Sequence, residues 1–143
     1  MAAPIRRLLQ DVVDLCRSTA ATYWEATEDG CHLLAAVDLG PEAERLEGLR
    51  VPVAGSLVGM VLCTGLPTAV GPDAAYHPAA MEATGILTRA MAAAPVRVAG
   101  RTVGVLSTIN PTEGDRFGPG DLERVQWQAF LLGCLLEHLD HGA

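Results

Sequence analysis

His77 and Arg89 are the two side chains of the central segment best suited to hold a ligand. A neutral imidazole can bind iron or hydrogen-bond a small molecule. The Arg89 guanidinium offers a fork of donors that matches a carboxylate or a phosphate. Each residue also has a structural interpretation: a lone loop histidine usually has no ligand, and Arg89 can pair with Asp73 or Glu82. The residue types alone leave both interpretations open.

Small hydroxyl residues and a glycine lie near these two side chains in the sequence. Thr84, Gly85 and Thr88 let a ligand approach backbone groups, but they also serve turns and helix caps. Ser56 can line a site and cap a helix that starts after it. The candidate ligand-binding residues are Ser56, Asp73, Tyr76, His77, Thr84, Gly85, Thr88, Arg89 and Met91. No catalytic or metal-binding residue is predicted.

The four cysteines do not form a pattern that predicts catalysis. Cys16, Cys31, Cys63 and Cys134 are far apart and contain no C-x-x-C pair, which argues against a zinc ribbon or a thioredoxin-like motif. Reduced thiols of a cytoplasmic protein are the simpler interpretation. Only Cys63 approaches the candidate site in sequence, and there it is suited to pack as a small apolar residue.

Length and charge restrict the class of protein. A chain of 143 residues that is 50% hydrophobic suits one domain, residues 1–143, with one core. The formal charge of -7 disfavours nucleic acid and anionic membranes as partners. The first residues lack the apolar region of a signal peptide, and no transmembrane stretch appears. The Met1 start and short tail favour a small standalone chain.

Hydrophobic periodicity predicts the elements that position the candidate residues. We expect amphipathic helices over residues 4–18 and 121–139, and a short helix capped by Ser56 that ends near Cys63 or Thr64. We expect strands over residues 22–26, 31–38, 49–53, 95–98 and 102–109. Residues 40–48 and 67–85 are interpreted as loops with short helical turns. This order predicts an α/β (α+β) fold, an antiparallel sheet with helices packed on it.

The predicted terminal helix carries two apolar stripes. The first, which should face the sheet, is Leu122, Val125, Ala129, Leu132, Leu136 and Leu139. The second, on the opposite side, is Trp127, Phe130, Leu131 and Cys134. A monomer normally keeps such a face polar, so something should cover it. Either the first helix covers it, or both terminal helices pair with a second copy.

An ordered series of short motifs resembles the GAF domain, a small sensory module. The series is Val51-Pro52, Ser56-Leu57-Val58-Gly59, Thr64-Gly65-Leu66-Pro67, Asp73, His77-Pro78, Thr84-Gly85, Thr88-Arg89, Met91, Pro95-Val96, Gly100 and Val103-Gly104-Val105-Leu106. The likeness covers nearly the whole chain. It implies terminal helices on one face of the sheet and a pocket under loops and short helices on the other. It does not name the ligand of that pocket.

The resemblance implies several alternative activities, and the residues of this chain match them to different degrees. Cyclic-nucleotide-binding relatives carry an Asn-Lys-Phe-Asp-Glu motif, of which Asn110, Phe117 and Asp121 match three members, although all three residues also suit structural roles. Bilin-binding relatives attach their chromophore to a cysteine, and residues 66–105 contain none. A methionine sulfoxide reductase would need a pocket thiolate and a resolving cysteine. The cofactor, if any, stays unknown.

Two functions remain. The first is a cytoplasmic, homodimeric sensor in signal transduction, not an enzyme, whose pocket binds a small molecule and whose output passes to an effector protein. The second is a structural dimerisation domain whose pocket is filled by its own side chains, including Met81, Leu87 and Met91. The reductase activity is a further, weaker alternative.

Overall fold

The computed structural model describes residues 2–141. The helices are α1 (Ala2–Cys16), α2 (Ala43–Leu46), α3 (Leu57–Thr64), α4 (Ala79–Thr84) and α5 (Pro119–His141). The strands are β1 (Ser18–Ala26), β2 (His32–Leu39), β3 (Arg50–Pro52), β4 (Thr68–Val70), β5 (Met91–Val98) and β6 (Arg101–Pro111). This is the mixed α/β architecture that the sequence predicts.

The six strands form one antiparallel sheet in the order β3-β2-β1-β6-β5-β4. Its centre is the pair β1 and β6, strands that lie far apart in the sequence and join the two halves of the chain. The β5–β6 turn has positive φ at Ala99 and Gly100, the geometry of a tight type I′ hairpin. The short helices lie in the connections between strands, so strand pairing determines their positions.

Helices α1 and α5 cover one face of the sheet. Their buried side chains, among them Leu9, Val12, Val125 and Leu132, pack with the strand residues of that face in one cluster. A second cluster on the other face packs α3 against the strands and includes Trp24, Leu33, Val51, Val58, Val61 and Val105. The predicted arrangement, with terminal helices on one face and short helices on the other, is thus observed.

Several predicted boundaries were wrong. Strand β1 begins at Ser18 instead of residue 22, and β5 begins at Met91 instead of residue 95. Apart from Met91, the added residues are small or polar, so they lack the alternation that marks a strand, and pairing with β6 makes them extended. Strand β4 was missed altogether, because its three residues are defined only by pairing with β5.

The terminal helix buries its predicted stripe. Val125, Ala129 and Leu132 are fully buried, and Leu122 and Leu136 pack partly against the same core. Asp121 Oδ2 accepts a hydrogen bond from the Gly118 backbone N–H at 2.9 Å, which caps the start of the helix. Among residues 2–141, no helix is long and apolar enough to cross a bilayer.

Candidate functional site

The sheet face opposite α1 and α5 carries a small cavity, here called the His77 cavity. Its volume is about 50 Å³, and it lies between the N-terminal end of α3, the segment that leads into α4, and strands β1 and β5. The lining is Trp24, Val51, Ser56, Leu57, Val58, Tyr76, His77, Ala80, Thr88 and Met91. Five of these are candidate residues from the sequence: Ser56, Tyr76, His77, Thr88 and Met91.

Ser56 is engaged at the start of α3. Its hydroxyl accepts a hydrogen bond from the Gly59 backbone N–H at 3.0 Å and donates one to the Pro52 carbonyl. Gly59 lies so close to the Val53 carbonyl that a Cβ there would stand 1.9 Å from the oxygen. The cap and this close approach hold α3 against the chain that follows β3. Ser56 therefore shapes the cavity while its own hydroxyl is already used.

Tyr76 and His77 are held by short-range hydrogen bonds. The Tyr76 hydroxyl donates to the Gly71 carbonyl at 2.8 Å, and partial burial raises the pKa of Tyr76. His77 Nδ1 accepts a hydrogen bond from the Ala79 backbone N–H at 3.2 Å. A neutral His77 therefore carries its proton on Nε2, which is the nitrogen left to act as a donor toward a ligand.

A second cavity, here called the Asp38 cavity, adjoins the first. Its volume is about 40 Å³, and Ala80 and Thr88 line both cavities. The full lining is Ala20, Thr22, Asp38, Pro41, Glu42, Leu46, Ala80, Thr84, Ile86, Thr88 and Ile109. Thr84 lies here, and its hydroxyl donates to the Ala80 carbonyl at 2.8 Å and accepts from the Ile86 N–H at 3.1 Å.

Three predicted residues lie outside both linings. Asp73 and Arg89 are exposed, and the Arg89 backbone N–H is bound to Asn110. Gly85 ends α4 with a φ of 75° and donates its N–H to the Met81 carbonyl, so it acts there as a helix cap. The structure gives these three residues no place at either cavity, and a contact with a ligand stays a prediction for them.

Sequence reasoning missed two residues that build the site. Trp24 forms part of the floor of the His77 cavity, and its Nε1 donates to the Ser107 hydroxyl at 2.9 Å. Asp38 lies in the Asp38 cavity although it had been assigned only to a strand. A Trp and an Asp on strands of a hydrophobic chain are the signal that could have found them, because buried polar groups need partners.

The Asn110 side chain binds the segment that borders both cavities. Its Oδ1 accepts from the backbone N–H groups of Arg89 and Ala90, and its Nδ2 donates to the Leu87 carbonyl at 2.9 Å. These bonds hold the segment that presents Thr88 to both cavities. Phe117 packs in the core, and Asp121 caps α5. The partial cyclic-nucleotide motif is thus occupied by structural roles.

The cysteines lie away from both cavities. All four are in the described part of the chain, and none belongs to either lining. Cys16 is buried on the helical side of the sheet, where burial, followed by the charge of Asp121, raises the pKa of its thiol to about 11. Cys31, Cys63 and Cys134 are exposed. No pocket thiolate with a nearby resolving thiol is present among these residues.

The second stripe of α5 is largely exposed. Trp127 and Phe130 are 61% and 59% exposed, and their rings stack with centroids 5.5 Å apart. Cys134 is exposed as well, whereas Leu131 is partly buried. Helix α1 therefore leaves both aromatic rings of this stripe open. We call Trp127 and Phe130 the aromatic pair.

Comparison with known families assigns the fold that these elements build. Residues 2–133 match the GAF domain. The chain belongs to the GAF domain family. A search of curated proteins gave no match.

Solved GAF structures superimpose over nearly the whole chain. The GAF-B domain of DevS from Mycobacterium smegmatis has a TM-score of 0.78 at 14% identity, covering 99% of this chain and 98% of that chain. Free methionine-R-sulfoxide reductase from Neisseria meningitidis has 0.79 at 20%, covering 99% and 81%. A methyl-accepting chemotaxis protein has 0.76 at 13%, covering 94% and 88%. The fold thus occurs in signalling sensors and in reductases, and these identities show the fold alone.

Proposed function

We propose that this GAF domain is a cytoplasmic sensor that binds a small molecule and passes the signal to an effector protein. The observation that carries the proposal is the pair of adjoining cavities on the open face of the sheet. They contain six of the nine candidate residues from the sequence: Ser56, Tyr76, His77, Thr84, Thr88 and Met91. A methyl-accepting chemotaxis protein shares this fold, which supports a signalling role.

The size of the cavities indicates how a ligand enters. A volume of about 50 Å³ holds only a few water-sized groups, so a metabolite requires a larger space. Helix α4 forms the wall shared by the two cavities through Ala80, and none of its residues is buried. An element with few buried contacts is displaced at low cost. Movement of α4 therefore joins the cavities when ligand binds.

A thermal-shift screen tests the sensor proposal. Cyclic nucleotides, amino acids, amines and aromatic acids are added to the purified protein, whose absorption spectrum is recorded for a cofactor band. A ligand that binds the folded state raises the melting temperature. The shift should disappear in Ala80→Leu, which fills the shared wall, and persist in Ala83→Leu, a matched change on α4 outside both linings.

We further propose that the domain is not an enzyme. A sulfoxide reductase needs a thiolate at the bound substrate, and the cysteines lie outside both cavities. The likeness to the Neisseria reductase therefore extends to the fold and not to the thiol chemistry. Turnover of free methionine sulfoxide that is lost in Cys63→Ser would overturn this conclusion.

We also propose that the functional form is a homodimer assembled through the terminal helices. The aromatic pair exposes a stacked apolar surface on α5, and such surfaces on soluble domains mark interaction sites. A two-fold axis would place the pair against its own copy. Light scattering at micromolar concentration should give twice the chain mass of 15.0 kDa.

Two variants test whether the aromatic pair, and not exposed apolar surface in general, forms the dimer interface. Trp127→Ser with Phe130→Ser should give a monomer, whereas Leu87→Ser, an equally exposed apolar residue outside the terminal helices, should leave the dimer intact. A monomeric mass for the unaltered protein would end the dimer proposal.

The alternative function is a dimerisation domain with no ligand. The observation that favours it is the small volume of both cavities. Of the three side chains expected to fill the pocket, Met91 lines the His77 cavity. The expectation is wrong for Met81 and Leu87, which are 41% and 63% exposed and line neither cavity. No stabilising compound in a broad panel, together with a dimeric mass, would support this alternative.

A further inference from the structure

The Asp38 cavity contains a buried carboxylate in a largely apolar lining. Asp38 is 2% exposed and lies directly opposite Thr22 in the pairing of β1 with β2. The Thr22 hydroxyl donates to Asp38 Oδ1 at 2.6 Å. The apolar residues of the same lining include Ala20, Leu46, Ile86 and Ile109. A charged group is costly to bury in such surroundings unless it is paired.

The second carboxylate oxygen, Oδ2, receives no hydrogen bond within residues 2–141. Within residues 2–141, Thr22 makes the one hydrogen bond received by the Asp38 carboxylate, and it goes to Oδ1. Every fully buried side-chain nitrogen or oxygen in the same residues has a partner. Oδ2 therefore keeps a small accessible area, and the cavity that Asp38 lines is the space next to this residue that can hold a donor.

The nearest charges act on Asp38 in opposite directions, since Glu47 raises the pKa of its carboxyl and Arg6 lowers it. Arg6 forms an ion pair with Glu47 at 2.9 Å, and its other nitrogen donates to the Asp38 main-chain carbonyl, not to the carboxylate. Glu47 also accepts a hydrogen bond from the Asp38 backbone N–H at 2.9 Å. Glu42 also lines the cavity and forms an ion pair with Arg45 at 3.6 Å. The lining itself contains two acidic residues and no Lys, Arg or His.

The charge and shape select a class of ligand. A lining with two acidic residues disfavours carboxylates and phosphates, which Arg89 would have suited. A hydrated divalent cation needs several oxygen ligands, and no group of three possible metal-ligating residues occurs within residues 2–141. A volume of about 40 Å³ suits one ammonium group with its first carbon atoms. The apolar wall then contacts the aliphatic part.

We propose that the Asp38 cavity binds the ammonium group of a primary aliphatic amine, which forms a charge-assisted hydrogen bond to Asp38 Oδ2. This inference rests on the proposed sensor function and names its ligand class. The ammonium end lies at Asp38, and the rest of the ligand passes Thr88 toward the His77 cavity. Burial raises the pKa of Asp38, and Glu47 adds to that effect, so binding is best measured at mildly alkaline pH.

The experiment is a titration of the full chain with propylammonium chloride at pH 8, followed by amide chemical shifts in two-dimensional NMR. Potassium chloride, propan-1-ol and sodium propionate are the comparison solutes. We expect saturable shifts at Thr22, Asp38 and Thr88 with the amine alone. Asp38→Asn should weaken the amine at least about tenfold, because the charge-assisted bond is lost. Asp11→Asn, which removes the same charge from an exposed position of α1 outside both linings, should change nothing.

A second measurement does not depend on how the variant folds. In the unaltered protein, binding of propylammonium should fall as the pH is lowered through the pKa of Asp38. Equal shifts with potassium chloride or propan-1-ol, an unchanged response in Asp38→Asn, or no saturable shift would overturn the inference. If propionate or another anion from the screen binds while amines do not, the sensor function stands and the ligand class is wrong. If no compound binds, both the sensor function and the amine proposal are wrong.

Discussion

Gly133→Ala tests how closely α5 lies on the sheet. Gly133 is buried, and a Cβ at this position would stand 2.2 Å from the Arg97 carbonyl oxygen and 3.2 Å from its carbon. An ordinary contact needs about 1 Å more, so α5 has to move away from β5 by that amount. Overpacking of this kind costs about 1–3 kcal/mol. Alanine recovers up to about 1 kcal/mol of helix propensity.

The net expectation is a loss of about 1–2 kcal/mol, since separation also loosens Val125, Ala129 and Leu132 against the core. For a chain of this size the melting temperature should fall by about 3–8 °C. Thermal and urea unfolding followed by circular dichroism measure the change.

Gly120→Ala is the matched control on the same helix. Gly120 is exposed, and its added Cβ would meet only the flexible end of the Arg124 side chain, at 3.3 Å. Helix propensity then acts alone, so this variant should be slightly more stable than the unaltered protein. If Gly133→Ala matched or exceeded the stability of Gly120→Ala, the close approach of α5 to Arg97 would be refuted.

Three further predictions concern single side chains. In the native protein, a disulfide reagent should modify the three exposed cysteines rapidly and Cys16 only after unfolding, because its thiol is buried with a pKa of about 11. Asn110→Ala should destabilise the chain by about 1–3 kcal/mol in urea unfolding, because the backbone groups of Leu87, Arg89 and Ala90 lose their partner. It should also speed exchange of the Arg89 and Ala90 amide hydrogens, whose acceptor is removed. Burial raises the pKa of Asp38 above its value in the unfolded chain, so the folded state holds that proton more tightly. This group therefore lowers stability as the pH rises from about 4 through the folded pKa, and Asp38→Asn should remove that loss in urea unfolding.

For each of these three predictions, one result would contradict it. Four equally fast thiols would contradict the buried position of Cys16. An Asn110→Ala variant of unchanged stability would show that the three hydrogen bonds contribute nothing. A stability curve of Asp38→Asn parallel to that of the unaltered protein would mean that Asp38 is not the group responsible. The Asp38 comparison includes the charges that face it, which are Arg6 and Glu47 beside the backbone and Glu42 on the cavity wall.

Local sequence determined much of the architecture. The amphipathic pattern predicted α1 and α5 and the inward stripe of α5, because a period of 3.6 residues fixes which side chains share a face. The Ser56 cap also came from residue types, since capping depends on neighbours in the chain. The motif series gave the family, which the match over residues 2–133 confirmed.

The cavities depended on contacts between distant segments. The short strand β4 and the first residues of β5 exist because they pair with one another, which no local pattern predicts. The motif series directed attention to Asp73, Gly85 and Arg89, and their positions are set by a helix cap and an exposed loop.

Asp38 is the clearest example of a cavity residue that the sequence did not predict. In the sequence it is the last polar residue of a predicted strand and gives no sign of a site. Its carboxylate lies at a cavity because β2 pairs with β1 opposite Thr22 and because α2 and α4 lie over the same face of the sheet. Sequence therefore determined the elements, whose formation depends on near neighbours. Tertiary structure decided which polar groups lost contact with water, because burial depends on the whole fold.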